Sequence, residues 1–188
     1  MVVPTKDDPC QRGREPVIRE DGSIEIPLTQ GRFALVDAAS YALVRGRTWC
    51  AWWHPGTRGF YAVSMSPRRD RRRKTLLLHR EVLRAQDGVQ VDHRNHDTLD
   101  NRLNNLRLAI AAENSHNMRR PRNNTSGYKG VSWNKDRKRW QAHICLSGKR
   151  RYLGYFDTAA EAGAVYDAAA RKLHGAFAFT NEMAGLPS

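Results

Sequence analysis

Cysteine is scarce in this chain: Cys10, Cys50 and Cys145 stand far apart and form no CxxC pair. That excludes a disulfide framework and a cysteine-ligated structural zinc, so any metal must be held by oxygen or imidazole. Long apolar runs are missing as well. Nothing approaches the roughly 18 to 20 residues that cross a bilayer, and the opening MVVPTKDDPC lacks the apolar core of a signal peptide, so no membrane partner and an intracellular, cytoplasmic setting are expected. No heptad seam is present, and a monomer is expected. Acid is in short supply too: 19 Asp and Glu face 32 Lys and Arg across 188 residues, leaving a formal charge of +13. A balance of that sign points to a polyanion, with nucleic acid foremost.

The basic excess is concentrated. Residues 68–74, RRDRRRK, hold six cations and one anion. Arg71, Arg72 and Arg73 in that run are candidates for phosphate contact, against the alternative of a solvated loop. From Arg119 to Arg151 eleven Lys or Arg accompany one acid, Asp136, a net of +10. Arg119 and Arg120 open this stretch in MRRPRNNTSG, whose Pro, Asn and Gly argue for a linker between two modules.

Periodicity divides the chain further. Residues 1–22 are polar and Pro-bearing and read as an N-terminal arm. From Ser23, short apolar runs (SIEIPLTQ, GRFALVDAA, WCAWWH, GFYAVSM) broken by Gly and Pro predict a small antiparallel sheet with a turn at HPGTRG and a short helix in ASYALVRGR. VQV before Asp92 and LRLAI after Asn105 predict two strands joined by a polar loop, with a short helix opening near Ala111 in AAENSHNMRR. YKGVSW, RWQAHICL and RRYLGYF predict a three-stranded meander. DTAAEAGAVYDAAARKLHG then predicts a helix with a Thr158/Glu161 capping box and a stop at Gly175. The fold class expected is α+β. A small N-terminal sheet leads into a strand–strand–helix unit (23–117), a basic linker (118–125) follows, then a three-stranded sheet packed on one helix (126–182) and a tail (183–188).

In the second of those three strands Trp140, Ala142 and Ile144 alternate with Gln141, His143 and Cys145, so one face is apolar and the other polar. The apolar face should cover the alanine-rich helix. The polar face should display Lys129, Ser132, Gln141, His143, Arg150 and Tyr152, and a sheet of this size can enter the major groove of double-stranded DNA. An RNA-binding reading would draw on Trp133, Trp140 and Tyr152 as stacking platforms, but the alternation places both tryptophans on the helix side.

The segment Ser126–Glu182, with YKGV, RWQAHI, YLGYFDTAAEAGAVYDAAA and GAFAFTNE, resembles the plant ethylene-response-factor, or APETALA-two, DNA-binding domain. The resemblance implies that the sheet docks in the major groove through Lys129, Ser132, Asn134, His143, Cys145, Arg150 and Tyr152. Several of these are arginine or tryptophan in the plant domains, so the fold carries over better than the target sequence.

The middle of the chain, VQVDHRNHDTLDNRLNNLRLAIAAENSHN, is crowded with Asp, His and Asn. A phosphodiester nuclease needs a base for water, a cation for the phosphate, and a group that fixes the base's tautomer. His93 titrates near neutrality. Asp92 and Asn114 offer hard oxygens that suit Mg²⁺ (or Mn²⁺), and Asn105 on the facing strand has a carbonyl that can hold the imidazole. DH, DNRLNNL and ENSHN resemble the HNH endonuclease family with its ββα-metal fold, in particular phage and intron homing nickases. That resemblance implies a single divalent metal on Asp92 and Asn114, His93 as general base and Asn105 as the middle Asn of the motif. Because Asp100-Asn101 stands where the family has an Asn pair, it leaves open whether Asn101, Asn104 or Asn105 supports the loop or the base. His96 and His116 are alternative ligands; in LLLHREVL, His79 is assigned to structure and Arg80 to a phosphate. The expected function is a metal-dependent, site-selective nicking endonuclease leaving 5′-phosphate and 3′-hydroxyl ends. The alternative is a DNA-binding regulator whose HNH-like segment is an inactive scaffold.

Overall fold

A computed structural model describes residues 15–66, 74–110, 117, 124–146 and 148–186. The chain forms two compact units, Met1–Ala109 and Ile110–Ser188. Both mix helix with small antiparallel sheets.

In the first unit β1 (Val17–Ile18), β2 (Ser23–Pro27) and β3 (Phe33–Asp37) pair antiparallel in that order. Val17 and Ile18 were assigned to the arm; they form a short edge strand instead, because Ile18 pairs with Ile24. Strand alternation puts Ile24, Ile26, Ala34 and Val36 on one face, where they join Leu28, Val44 and Trp49 in the core. Helix α1 (Ala38–Val44) realises the helix expected in ASYALVRGR. The Trp49 indole N–H caps its end by donating to the Val44 carbonyl.

A second sheet orders β4 (Cys50–His54), β5 (Gly59–Met65) and β6 (Thr75–Leu77), with the β4–β5 turn at HPGTRG as expected. β6 runs directly into α2 (Leu78–Leu83), whose buried Leu78, His79 and Val82 face inward. Hairpin strands β7 (Gln90–His93) and β8 (Leu106–Ala109) follow, and they match the two strands expected around the polar loop.

That loop is built into the unit. Leu35 of β3 donates its backbone N–H to Leu99 and accepts from Asn101, each at 2.8 Å, which makes a parallel bridge to Asp100. Asp37 accepts the Leu103 N–H at 2.6 Å, and the Thr98 hydroxyl donates to the Phe60 carbonyl at 2.6 Å. The N-terminal sheets therefore prop the hairpin loop.

In the second unit β9 (Val131–Asn134), β10 (Arg139–Leu146) and β11 (Lys149–Phe156) order as β9-β10-β11, with α3 (Ala159–His174) on one face. β9 starts three residues later than YKGVSW suggested, because Gly127 and Gly130 take positive φ and turn the chain before Val131. At Gly130 a Cβ would sit 2.1 Å from the Tyr166 ring, so the close approach also demands glycine. Thr158 and Glu161 form the capping box that was expected. Buried Asp167 pins the closing segment by accepting the backbone N–H groups of Asn181 and Glu182 and the Asn181 amide.

The helix expected near Ala111 and most of the basic linker lie outside the described residues. No helix among the described residues is long and apolar enough to cross a membrane.

Candidate functional site

His93 is the last residue of β7 and is buried, with Asp92 buried beside it. Neighbours on a strand point to opposite faces, and the two side chains meet different partners. Asp92 turns to β8, where its registered partner is Arg107. The Arg107 guanidinium is buried as well and grips Asp92 Oδ2 from Nε at 2.7 Å and Nη2 at 2.5 Å. A carboxylate inside a protein needs such a cation, because desolvating it alone is costly.

His93 turns to the other side. Its Nε2 lies 3.4 Å from the Asn101 Oδ1. Asn101 donates Nδ2 to the Leu99 carbonyl at 2.9 Å, which fixes which end of the amide is oxygen. The proton of the neutral imidazole therefore resides on Nε2. Burial holds the His93 pKa below the ordinary imidazole range; the Asn101 hydrogen bond and nearby carboxylates push the other way without cancelling it. At neutral pH the ring is an unprotonated base.

The expectation that Asn105 supports the imidazole is corrected. Asn105 accepts the Asn95 N–H at 3.0 Å and donates to the Asp100 carbonyl at 2.7 Å, so its amide closes the loop, and Asn101 takes the place beside the base. Asp100, which replaces the first Asn of the family pair, binds Arg102 through both oxygens and also accepts from Asn95. Burial alone would raise its pKa, but the hydrogen bonds from Arg102 and the charge behind them lower it. The loop is thus a closed net of Asn95, Asp100, Arg102 and Asn105.

Around the base stand rings. His79 packs edge-on against His93 at 5.1 Å between centroids, and Tyr61 touches both, at 5.4 and 6.2 Å. Burial drives the His79 pKa down to about 3, with the neighbouring His93 and Arg80 adding to it, so His79 is a neutral packing partner, as its assignment to structure implies. Arg80 is corrected: its guanidinium donates to the carbonyls of Val89, Ala85 and Gln86 and ties down the turn after α2, where a phosphate contact was expected. Asn114, His116, Arg71, Arg72, Arg73, Arg119 and Arg120 lie outside the described residues.

Arg107 escaped the sequence reading, although its signal was available. Once β7 and β8 are set as a hairpin about the loop, the register pairs Asp92 with Arg107 and His93 with Leu106.

The second unit presents a polar face opposite α3. Ser132 accepts from Gln141, Asn134 donates to Gln141 and to the Tyr155 hydroxyl, and Arg150 Nη2 lies 3.0 Å from His143 Nδ1. Arginine can only donate, so His143 keeps Nδ1 as acceptor and presents Nε2–H; burial and the Arg150 charge lower its pKa. Tyr152 packs between His143 and Tyr155, at 5.6 and 5.0 Å. Ser132, His143, Arg150 and Tyr152 are therefore gathered where the alternation put them, Asn134 stands beside them on β9, and exposed Cys145 follows His143 on β10.

Lys129 is not among them. Its ammonium lies over the rings of Tyr166 and Phe179, 6.0 and 5.5 Å from their centroids, and burial brings its pKa down to about 8. Tyr155 was missed because a register shift between Ala142 and His143 breaks simple alternation along β11. Trp140 packs in the core as expected, whereas Trp133, its edge-to-face partner, is 43% exposed.

Comparison with known proteins agrees with this layout. The family model described as AP2 domain matches residues 126–176, and that described as HNH endonuclease matches residues 84–116. Protein 3.8 of Escherichia phage T7 is 41% identical over 91 residues, which cover 48% of this chain and 74% of that protein. An AP2-like ethylene-responsive transcription factor of Arabidopsis thaliana, TOE2, is 45% identical over 67 residues, covering 36% of this chain and 14% of its own. APETALA2-like protein 2 of Oryza sativa subsp. indica is 47% identical over 57 residues, covering 30% and 13%.

Proposed function

The chain belongs to the family of the phage T7 protein 3.8 and carries HNH endonuclease and AP2 domains, and from that premise we propose that it is a metal-dependent DNA nicking enzyme of the homing type. A nuclease module over 23–117, a linker over 118–125 and a targeting domain over 126–182 divide the work. The observation that carries the reading is the setting of His93: buried at the end of β7, with the Asn101 Oδ1 aimed at its Nε2 by the hydrogen bond from Asn101 to the Leu99 carbonyl. An inactive scaffold has no use for a base prepared in this way.

Asp92 and Asn114 are the protein ligands of the reading, with β7, β8 and the segment bearing Asn114 as its ββα unit. Both offer hard oxygen, the donor type that Mg²⁺ takes. Among the described residues no cluster of three or more His, Cys, Asp or Glu converges. The bound ion supplies positive charge for the phosphate and the departing oxygen. His93 takes the proton from the attacking water, Asn101 keeps the ring in its neutral tautomer, and Arg107 fixes the Asp92 carboxylate. Attack in line with the 3′ oxygen leaves a 5′-phosphate and a 3′-hydroxyl. The face of Ser132, Asn134, His143, Arg150 and Tyr152 reads base edges and phosphates in the major groove of double-stranded DNA. One active site per chain cuts one strand, and the enzyme acts as a monomer.

The test is conversion of supercoiled plasmid carrying host-locus DNA to nicked circle with Mg²⁺. Nicking that disappears with EDTA and in His93→Ala supports the reading. Tight, salt-sensitive binding without nicking, unchanged in His93→Ala, would replace it with a DNA-binding regulator.

A further inference from the structure

Two tryptophans stand exposed on the edge strand β4: Trp52 at 44% and Trp53 at 47%. Trp53 faces Phe60, on which Arg32 lies. Trp52 faces the other way and begins a row of rings. Its centroid is 5.2 Å from His54, His54 is 5.8 Å from Tyr61, and Tyr61 is 6.2 Å from His93. All three contacts are edge-to-face. The row runs without a gap from the protein surface to the base assigned above.

The row is also held in place before any ligand arrives. Trp52 and Tyr61 are registered cross-strand partners. The His54 ring folds over the turn, where Nδ1 accepts the Thr57 backbone N–H at 3.1 Å. Only glycine leaves room beneath it, since a Cβ at Gly56 would lie 2.9 Å from His54 Cε1. With Nδ1 engaged, His54 presents Nε2–H as a donor.

The surroundings select the occupant. From Ala38 to Arg69 the sequence contains no Asp or Glu, while Arg58 stands on the β4–β5 turn. Exposed aromatic faces on a hairpin that carries arginine and no carboxylate of its own suit a polyanion with π-faces. A base offers its face only after a neighbour has been stripped from it, so the ligand is an unstacked nucleotide and not intact duplex. We propose that Trp52, His54 and Tyr61 form a stacking site for an unpaired nucleobase of the DNA strand, a few nucleotides from the phosphate attacked by the water that His93 deprotonates. The site rests on the nuclease reading only for that position beside His93; its ligand class rests on the rings and the charge.

The probe is a fluorescently labelled dT12 single strand, with the full chain, in EDTA. Replacing Trp52 by Ala is expected to weaken binding about tenfold, as loss of one base–aromatic stack does, with the salt slope unchanged. Trp53→Ala, on the opposite face, is expected to stay within about twofold. Because the second unit also binds nucleic acid, a dT12 carrying 5-iodouracil is photocrosslinked to the wild type in parallel, and adducts are expected at Trp52 or Tyr61. An abasic-substituted dT12 should match the loss seen in Trp52→Ala, which covers the case in which that variant fails to fold.

Adducts confined to the second unit, or Trp52→Ala binding dT12 like wild type, would overturn the site. So would a Trp52→Ala protein that alters only the sedimentation coefficient, which would mark a protein interface. If the stacking results hold while wild type nicks no DNA, the nuclease reading falls and the site stands. If nicking holds while Trp52 is indifferent, the site alone falls.

Discussion

Substituting Arg107 by Met should unfold the first unit well before the second. Met matches the Arg side chain about as far as Nε, so the packing of the aliphatic stem is kept while the cation is lost. Asp92 is then left in a position where only 7% of its surface is exposed, without the two hydrogen bonds that Arg107 supplies to Oδ2. Breaking one side of a buried pair costs about 3–5 kcal/mol, a large part of a stability of about 5–15 kcal/mol. For a unit of this size that lowers the midpoint by more than about 10 °C. Scanning calorimetry is the assay, with the transition of the second unit as an internal reference. The double variant Asp92→Leu/Arg107→Met should return to within about 1 kcal/mol of wild type, since an apolar pair can replace a buried ion pair, yet nick nothing. A shift below about 1 kcal/mol in Arg107→Met would refute the reasoning, because the pair would then be screened by water.

Asn101→Ala should nick about 10- to 100-fold more slowly, because the partner of the base is lost, and should cost about 1 kcal/mol of stability with the hydrogen bond to the Leu99 carbonyl; Asn105→Ala should instead destabilise the first unit by about 2–4 kcal/mol by stranding the Asn95 N–H and the Asp100 carbonyl. Thermal melts and single-turnover nicking separate the two. His79, at about 3 when folded against 6.5 when unfolded, makes the unfolded chain bind the proton first. Stability is therefore lost as pH falls below 6.5 toward 3, by about 2 kcal/mol at pH 5, and urea melts of His79→Phe should show a shallower acid slope. Thr158→Ala removes the acceptor for the Glu161 N–H and should lower the second unit alone by about 1 kcal/mol. Arg150→Ala should weaken duplex binding and reduce the salt slope by about one charge, read by anisotropy across a salt series.

How much of this was legible in the sequence depends on the distance over which each feature is encoded. Strands with clean alternation, such as SIEIP and RWQAHI, and the Thr158 capping box are local, and they emerge where expected. β9 was misplaced because two glycines with positive φ bend a stretch whose apolar pattern looks extended. Asp92 and His93 were recognisable from their spacing. Their partners were not, since Arg107 and Asn101 are chosen by strand register and loop closure, and a row of similar asparagines does not say which one turns inward. Arg80 and Lys129 were both assigned to the partner, one from its place in LLLHREVL and the other from alternation and resemblance, and both are spent within the fold, one on backbone carbonyls and the other over aromatic rings. Tyr155 was hidden by a register shift that alternation does not foresee.

The central claim is that His93 drives hydrolysis at the 3′ oxygen. Its most direct test is to isolate nicked plasmid from a reaction with Mg²⁺ and treat it with DNA ligase. Nicks made by the wild type should be sealed, as 5′-phosphate and 3′-hydroxyl ends allow, and His93→Ala should leave the plasmid supercoiled. Nicks that ligase cannot close, or equal nicking by His93→Ala, would contradict the account.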